Sequence, residues 1–127
     1  LQACADACME DFTALELPNL PVPGEMGGGY ATNPARYLLF QDILMGLSDR
    51  HVTEDEFARH FASLIPRYEE AMKRNPKWAY IFDLMLTMTR LLEKKCDIGI
   101  KLKKAYDADD KEQLAILLTK LHEIRNL

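Results

Sequence analysis

The stretch of residues 76–106 constrains the fold most, because it predicts one long and largely apolar helix. It follows Asn75-Pro76, where Asn can cap free backbone N–H groups and Pro tolerates the first helical position. At 1.5 Å per residue such a helix would be about 45 Å long. Apolar residues recur at alternating steps of three and four in neighbouring rows, which include Trp78, Phe82, Met85, Ile81, Leu84 and Met88. A helix this apolar needs neighbours on most sides, so the other segments are expected to cover it.

Composition limits the class of protein. The 127 residues predict a single helical domain, and 48% hydrophobic with 28% charged residues is ordinary for a globular chain. The net charge of −4 argues against nucleic-acid binding, which normally needs a basic face. No apolar run approaches the roughly twenty residues that span a bilayer, so we expect no membrane contact. Three cysteines favour a reducing, cytoplasmic compartment over a disulfide framework.

The first third of the chain offers two motifs that could bind a ligand, and neither is convincing. Residues 1–15 predict a helix that carries Cys4 and Cys8 on one face, but two thiols without further ligands make a poor zinc site. Buried structural thiols are the better interpretation. The Pro/Gly-rich loop at 17–32 lacks the Lys-Ser/Thr and the preceding strand of a phosphate loop. We therefore predict no cofactor and no metal, and a loop that is flexible or lies against a neighbouring domain.

Residues 35–47 follow a second Asn-Pro start and predict a helix that is apolar nearly all the way round. Such a helix must be buried on most sides, within this domain or against something outside it. Its only charges are Arg36 and Asp42. Asp42 could be a pocket carboxylate, but a helix-capping or interface role is favoured, because perturbed carboxylates also serve structure.

The next helix is predicted to begin at a capping box, in which Thr53 serves the N–H of Glu56 and Glu56 reaches back to Thr53. Its apolar face comprises Phe57, Phe61, Leu64, Tyr68 and Met72. Pro66 lies inside this pattern and is predicted to kink the helix or split it in two. His51 and His60 have no partner at a metal-like or catalytic spacing, so they are interpreted as surface or capping residues.

The last helix is predicted to be capped by Asp109, with Glu112 at box spacing. Its apolar stripe comprises Leu114, Leu117, Leu118, Leu121 and Ile124. No segment alternates apolar and polar residues for long enough to predict a strand. The sequence therefore predicts an all-α fold of about five helices packed around a long central helix at 76–106.

Three segments in order, residues 33–49, 75–82 and 92–102, resemble the C-terminal helical region of bacterial family 20 glycoside hydrolases, the exo-β-N-acetylhexosaminidases. In that family the helical region follows a (β/α)₈ catalytic barrel. The resemblance implies that the barrel of the same polypeptide is the partner of this chain. It also implies a parent activity, the removal of terminal N-acetylhexosamine by substrate-assisted catalysis.

The resemblance does not carry a catalytic role onto any residue here. An adjacent Asp-Glu pair serves family 20 catalysis at the end of a barrel strand, whereas Asp55-Glu56 lies in the predicted capping box. The chain also begins inside a predicted helix, which suggests a C-terminal fragment of a larger enzyme. We therefore expect a bacterial accessory domain of carbohydrate metabolism that is not itself catalytic.

The hypothesis that follows is that this domain buttresses the barrel or a homodimer contact. The expected interdomain interface comprises Tyr37, Leu39, Phe40, Asp42 and Leu44. The alternative is a stand-alone helical protein–protein interaction module, with residues 35–47 forming the groove for a partner. An enzyme that uses Asp42 or the histidines is the least favoured class.

Overall fold

The computed structural model describes residues 9–19 and 34–127 of the chain. Within these ranges there is no strand, and the α-helices are α1 (Met9–Thr13), α2 (Pro34–Phe40), α3 (Glu56–Arg74), α4 (Ala79–Lys95), α5 (Ile98–Asp107) and α6 (Lys111–Arg125). Short 3₁₀ helices lie at Ala14–Asn19, Asp49–His51 and Pro76–Trp78. The predicted all-α fold is confirmed. Cys4, Cys8, the first part of the predicted helix at 1–15 and most of the loop at 17–32 lie outside the described residues.

The long central run of helix is also confirmed. It consists of the 3₁₀ helix Pro76–Trp78, then α4, then α5, with a turn at Cys96 and Asp97 joining the last two. None of the helices in the described part of the chain combines the length and apolar character needed to cross a bilayer.

Helix α4 is buried mainly against α3. Phe82 and Leu92 of α4 are fully buried, and Trp78 and Met85 are half-buried beside them. The facing side of α3 buries Phe57, Phe61, Leu64, Tyr68 and Ala71. This is the predicted face, except that Ala71 is fully buried and the predicted Met72 is only partly buried. Helix α2 adds Ala35 and Leu38 at one end of this core. The apolar rows read from the sequence therefore meet in one helical hairpin, α3 with α4.

Pro66 does not split α3, which runs unbroken from Glu56 to Arg74. That part of the expectation is wrong. Pro66 itself is exposed, while Leu64 and Tyr68 on either side of it are buried against α4. Burial of this face on both sides of the proline offsets the loss of one backbone hydrogen bond.

The first helix is tied to the turn between α3 and α4 by a buried carboxylate. Asp11 accepts hydrogen bonds from Arg74 Nη2 at 2.6 Å and from Asn75 Nδ2 at 2.8 Å. Asn75 Nδ2 also donates to the Ala71 carbonyl at 2.9 Å, so its side chain closes the end of α3. The prediction that Asn75 caps the helix after it is wrong, because no cap hydrogen bond from its side chain reaches that helix.

Two further contacts fix the 3₁₀ helix that follows α1. The Tyr68 hydroxyl donates to the Ala14 carbonyl at 2.7 Å, and burial raises the pKa of Tyr68 to about 12. His60 Nε2 lies 2.8 Å from the Leu17 carbonyl oxygen. The capping role expected for His60 thus agrees with its geometry.

The capping box expected at the start of α3 does not form. Asp55 precedes the helix with a φ of 63°, and no side chain caps the helix there. Instead the Asp55 N–H donates to Asp97 Oδ2 at 3.0 Å. Lys101 Nζ then bridges Asp55 Oδ1 at 2.7 Å and Asp97 Oδ2 at 2.8 Å. Burial alone would lower the pKa of Lys101, but these two carboxylates outweigh burial and raise it.

The last helix packs on α5 around Ile98, Ala105 and Leu117. Its cap is Asp110, whose Oδ1 accepts the Gln113 N–H at 2.9 Å, so the prediction of Asp109 is wrong. Asp109 instead adopts a left-handed φ of 51° in the preceding turn. The predicted apolar stripe of α6 is correct except at Leu118, which is 54% exposed.

Replacing Phe82 with Ala is expected to lower the free energy of unfolding by about 3–5 kcal/mol, because it opens a cavity between α3 and α4. Leu84 on the same helix is 61% exposed and provides the matched control. Leu84→Ala should change stability by no more than about 0.5 kcal/mol. Urea denaturation followed by far-UV circular dichroism measures both, and equal losses for the two variants would contradict the packing.

Replacing Lys101 with Met is expected to lower the free energy of unfolding at neutral pH by about 3 kcal/mol, because Asp97 becomes a buried carboxylate without its ammonium partner. The hydrogen bond from Lys101 also lowers the pKa of Asp55. A carboxyl group with a lowered folded pKa adds stability above its unfolded pKa of about 4, and this stability is lost as the pH falls through the folded value.

The variant should therefore show a weaker decrease in stability than the native chain between about pH 5 and pH 2. Urea denaturation at a series of pH values measures this slope. Lys103→Met removes an exposed lysine from the same helix and is the control for charge alone. Identical pH slopes for Lys101→Met and the native chain would argue against the bridge.

Candidate functional site

Helix α2 ends at Phe40, so the prediction of one helix over 35–47 is wrong beyond that residue. The side chain of Asp42 competes with helical hydrogen bonding for backbone N–H groups. Its Oδ1 accepts the N–H of Leu44 at 2.8 Å and the N–H of Met45 at 3.1 Å. Gly46 then adopts a φ of 55°, a left-handed conformation that a helix does not allow. Local hydrogen bonding by Asp thus replaces the last helical turns with a loop, residues 41–48.

The loop 41–48 is held closed by its own polar groups. Gln41 Nε2 donates to Asp49 Oδ1, and Gln41 Oε1 accepts the Ser48 N–H, both at 2.9 Å. The Gly46 N–H donates to the Asp42 carbonyl and the Asp49 N–H to the Gly46 carbonyl, both at 3.0 Å. One glutamine side chain therefore joins the two ends of the loop.

Residues of helices α4 and α5 support the loop 41–48 and the end of α2. A Cβ atom on Gly99 would lie 2.4 Å from the Ile43 carbonyl oxygen, so only glycine permits this approach. The side chain of Ile43 packs with the core between α5 and α6. Lys95 Nζ donates to the Leu39 carbonyl at the end of α2. Burial lowers the pKa of Lys95, and the nearby Asp42 carboxylate partly opposes that effect.

The outer side of α2 and the loop exposes large apolar side chains. We call this set the apolar ridge: Tyr37 (44% exposed), Phe40 (75%), Leu44 (85%), Met45 (70%) and Leu47 (75%). A groove of about 500 Å³ runs along one side, lined by Arg36, Tyr37, Phe40, Gln41, Leu47 and Ser48. A second groove of about 330 Å³ lies between Leu44 and Tyr106 of α5. Apolar exposure concentrated in this way is typical of interaction surfaces.

Three of the five predicted interface residues lie on the apolar ridge. Tyr37, Phe40 and Leu44 lie on the ridge, whereas Leu39 is half-buried against the core of α2, α3 and α4. Asp42 is exposed, and the hydrogen bonds from Leu44 and Met45 lower its pKa. Its carboxylate orders the loop and not a helix end, so the helix-capping role expected from the sequence is not what the bonds show. The use of these residues as an interface stays a prediction.

Sequence reasoning missed Met45 and Leu47, which complete the ridge. The signal was present, since the run 43–47 is apolar apart from Gly46 and follows an Asp that can end a helix. The sequence predicts both residues on one helix over 35–47, whereas the observed helix stops at Phe40. Tyr106, 75% exposed beside Leu44, comes from a distant part of the chain and could not be assigned to this surface from the sequence.

His51 and Cys96 carry reactive groups that are engaged in structure. Arg50 Nε donates to His51 Nε2 at 3.0 Å. Burial raises the pKa of the Cys96 thiol to about 12, and the neighbouring Asp97 adds to that rise. In the ranges 9–19 and 34–127, no three His, Cys, Asp or Glu side chains lie together as ligands for a metal ion. The apolar ridge is therefore the feature of the described residues that most clearly indicates a function.

Comparison with known families gives one match. The family described as Glycoside Hydrolase 20C C-terminal domain matches residues 10–127. Neither the search of curated proteins nor the search of solved structures gives a significant match.

Replacing Gly99 with Ala tests the support of the loop. In an open helical site this change stabilises a protein by up to about 1 kcal/mol, because Ala is the better helix former. Here the new Cβ would meet the Ile43 carbonyl, so we expect a loss of about 1–3 kcal/mol instead. Urea denaturation measures the change in the free energy of unfolding, and its sign distinguishes the two outcomes. A stabilised variant would show that the loop does not lie against α5.

Proposed function

This chain belongs to the glycoside hydrolase 20C C-terminal domain family, and we propose that it is a non-catalytic helical domain that packs on the catalytic barrel of its own polypeptide. The parent enzyme in this proposal is a β-N-acetylhexosaminidase-like glycoside hydrolase with a (β/α)₈ barrel, which removes terminal N-acetylhexosamine. The observation that carries the proposal is the apolar ridge on α2 and the loop 41–48. Family membership supports the choice of partner, because the family is defined as a C-terminal domain.

The size of the ridge supports a docking role. Its four most exposed side chains, Phe40, Leu44, Met45 and Leu47, are each 70–85% exposed. Together they offer roughly 500 Å² of apolar surface, near the upper end for the largest patch on a monomer. A standard interface buries about 800 Å² on each partner. Removing this apolar surface from water would favour association.

The chemistry of the described residues supports a role other than catalysis. Asp55 is bound to Lys101, and Glu56 is exposed at the first position of α3, so this adjacent Asp-Glu pair lies at a helix start. In family 20 catalysis the acetamido oxygen of the substrate is the nucleophile, and an Asp-Glu pair orients the acetamido group and supplies the acid/base. In this proposal the barrel supplies that pair, and the helical domain holds the barrel in place or shapes its rim.

Two ridge substitutions test the docking role in the polypeptide that carries both the barrel and this chain. Phe40→Ser with Leu44→Ser is expected to uncouple the domains, so that one calorimetric unfolding transition becomes two. The matched control is Tyr80→Ser with Leu84→Ser, which removes an aromatic and a leucine side chain from the surface of α4, 66% and 61% exposed. The control should retain coupled unfolding, because neither residue lines the grooves beside the ridge.

Hydrolysis of an aryl N-acetylhexosaminide is the second measurement. Activity of the ridge variant should fall at temperatures at which the control remains active, because the undocked barrel loses its support. The isolated 127-residue chain should not hydrolyse the substrate. Turnover by that chain, or coupled unfolding in the ridge variant, would contradict the proposal. Coupling that depends on protein concentration would favour a homodimer contact instead.

A further inference from the structure

Leu44 is the most prominent residue of the ridge. Its side chain is 85% exposed, more than any other large apolar side chain in the described residues. It follows a half-buried residue, Ile43, which packs with the core between α5 and α6. The chain therefore turns outward within one residue, from a side chain anchored in the core to one that projects into solvent.

The position of Leu44 depends on Asp42. The carboxylate of Asp42 accepts the N–H groups of both Leu44 and Met45, and its carbonyl accepts the N–H of Gly46. Three successive residues are thus fixed by one aspartate. Hydrogen bonds to an ionised acceptor are stronger than those between neutral groups, so this is a firm local restraint.

The rest of the loop is restrained at its ends and at its base. Gln41 joins Ser48 and Asp49, Lys95 holds the end of α2 at the Leu39 carbonyl, and Gly99 lets the backbone at Ile43 lie on α5. Ordering a flexible loop on binding weakens association, and an interface that is already ordered avoids this loss. An exposed apolar side chain on an ordered loop is the form expected of an anchor residue.

We infer that the loop 41–48 is a preformed anchor whose Leu44 enters an apolar pocket on the catalytic barrel, and that Asp42 is the positioning residue that holds it ready. This inference rests on the proposed function and adds to it a central contact and a source of its strength. Asp42 contributes through the loop backbone, and it makes no ion pair with the barrel. Its carboxylate oxygen can therefore be replaced by another acceptor of the same shape.

Four variants of the polypeptide that carries the barrel test the inference: Asp42→Ala, Asp42→Asn, Leu44→Ser and, as control, Asp83→Ala. Asp83 is an exposed carboxylate on α4. Asp42→Ala is expected to speed amide hydrogen exchange at Leu44 and Met45 by at least about tenfold, because both N–H groups lose their acceptor. It should also separate the unfolding transitions of the two domains, as Leu44→Ser does.

Asp42→Asn is expected to keep the domains coupled and to speed exchange less than Asp42→Ala does, because the Asn side-chain oxygen can accept the same two N–H groups in weaker hydrogen bonds. Asp83→Ala should match the native protein in both measurements. If Asp42→Asn uncouples the domains as Asp42→Ala does, the charge itself is needed and the inference is wrong. If Asp42→Ala speeds exchange but leaves the domains coupled while Leu44→Ser separates them, the inference fails and the proposed function stands. If Leu44→Ser leaves the domains coupled while Phe40→Ser with Leu44→Ser separates them, the inference fails and the proposed function stands. If the double variant also leaves the domains coupled, both fail.

Discussion

Phe82 and Leu86 of α4 pack against Leu64 and Tyr68 of α3, and the other elements take their positions from this contact. The hairpin of α3 and α4 brings a continuous apolar face from each helix together. It leaves a second apolar surface at one end, where α2 packs with Phe57, Phe61 and Leu92. Since burial of apolar area is the main favourable term in folding, this hairpin is the frame on which the smaller contacts depend.

Polar contacts then fix both ends of the hairpin. At one end Asp11 joins α1 to Arg74 and Asn75. At the other end Lys101 joins the start of α3 to the start of α5 through Asp55 and Asp97. Each buried carboxylate has a cation beside it, which such burial requires. These two clusters determine where α1 and α5 lie on the core. Apolar packing alone would define the positions of these two helices less specifically.

The position of α5 has a direct consequence for the surface. It brings Gly99 under Ile43 and Tyr106 beside Leu44, so the same turn that ends α4 also supports the loop 41–48. The chain thus uses buried polar groups to order a loop whose apolar side chains face outward. An apolar side chain that is 85% exposed, as Leu44 is, adds little to folding and remains available for contact with a partner.

The sequence by itself determined the helical class, the central run and the inward faces of α3, α4 and most of α6, because helical periodicity is a local property of residues three and four apart. Tertiary structure decided both ends of α3. Thr53 and Asn75 were the local choices for caps, but Asp97 lies 42 residues from Asp55 and Asp11 lies 64 residues from Asn75. Residues 35–47 are apolar on all sides, so periodicity could not tell which side was buried. The contact between Ile43 and Gly99 sets which side of this segment is buried. Only the folded chain brings the Ile43 carbonyl oxygen against Gly99, which has no side chain.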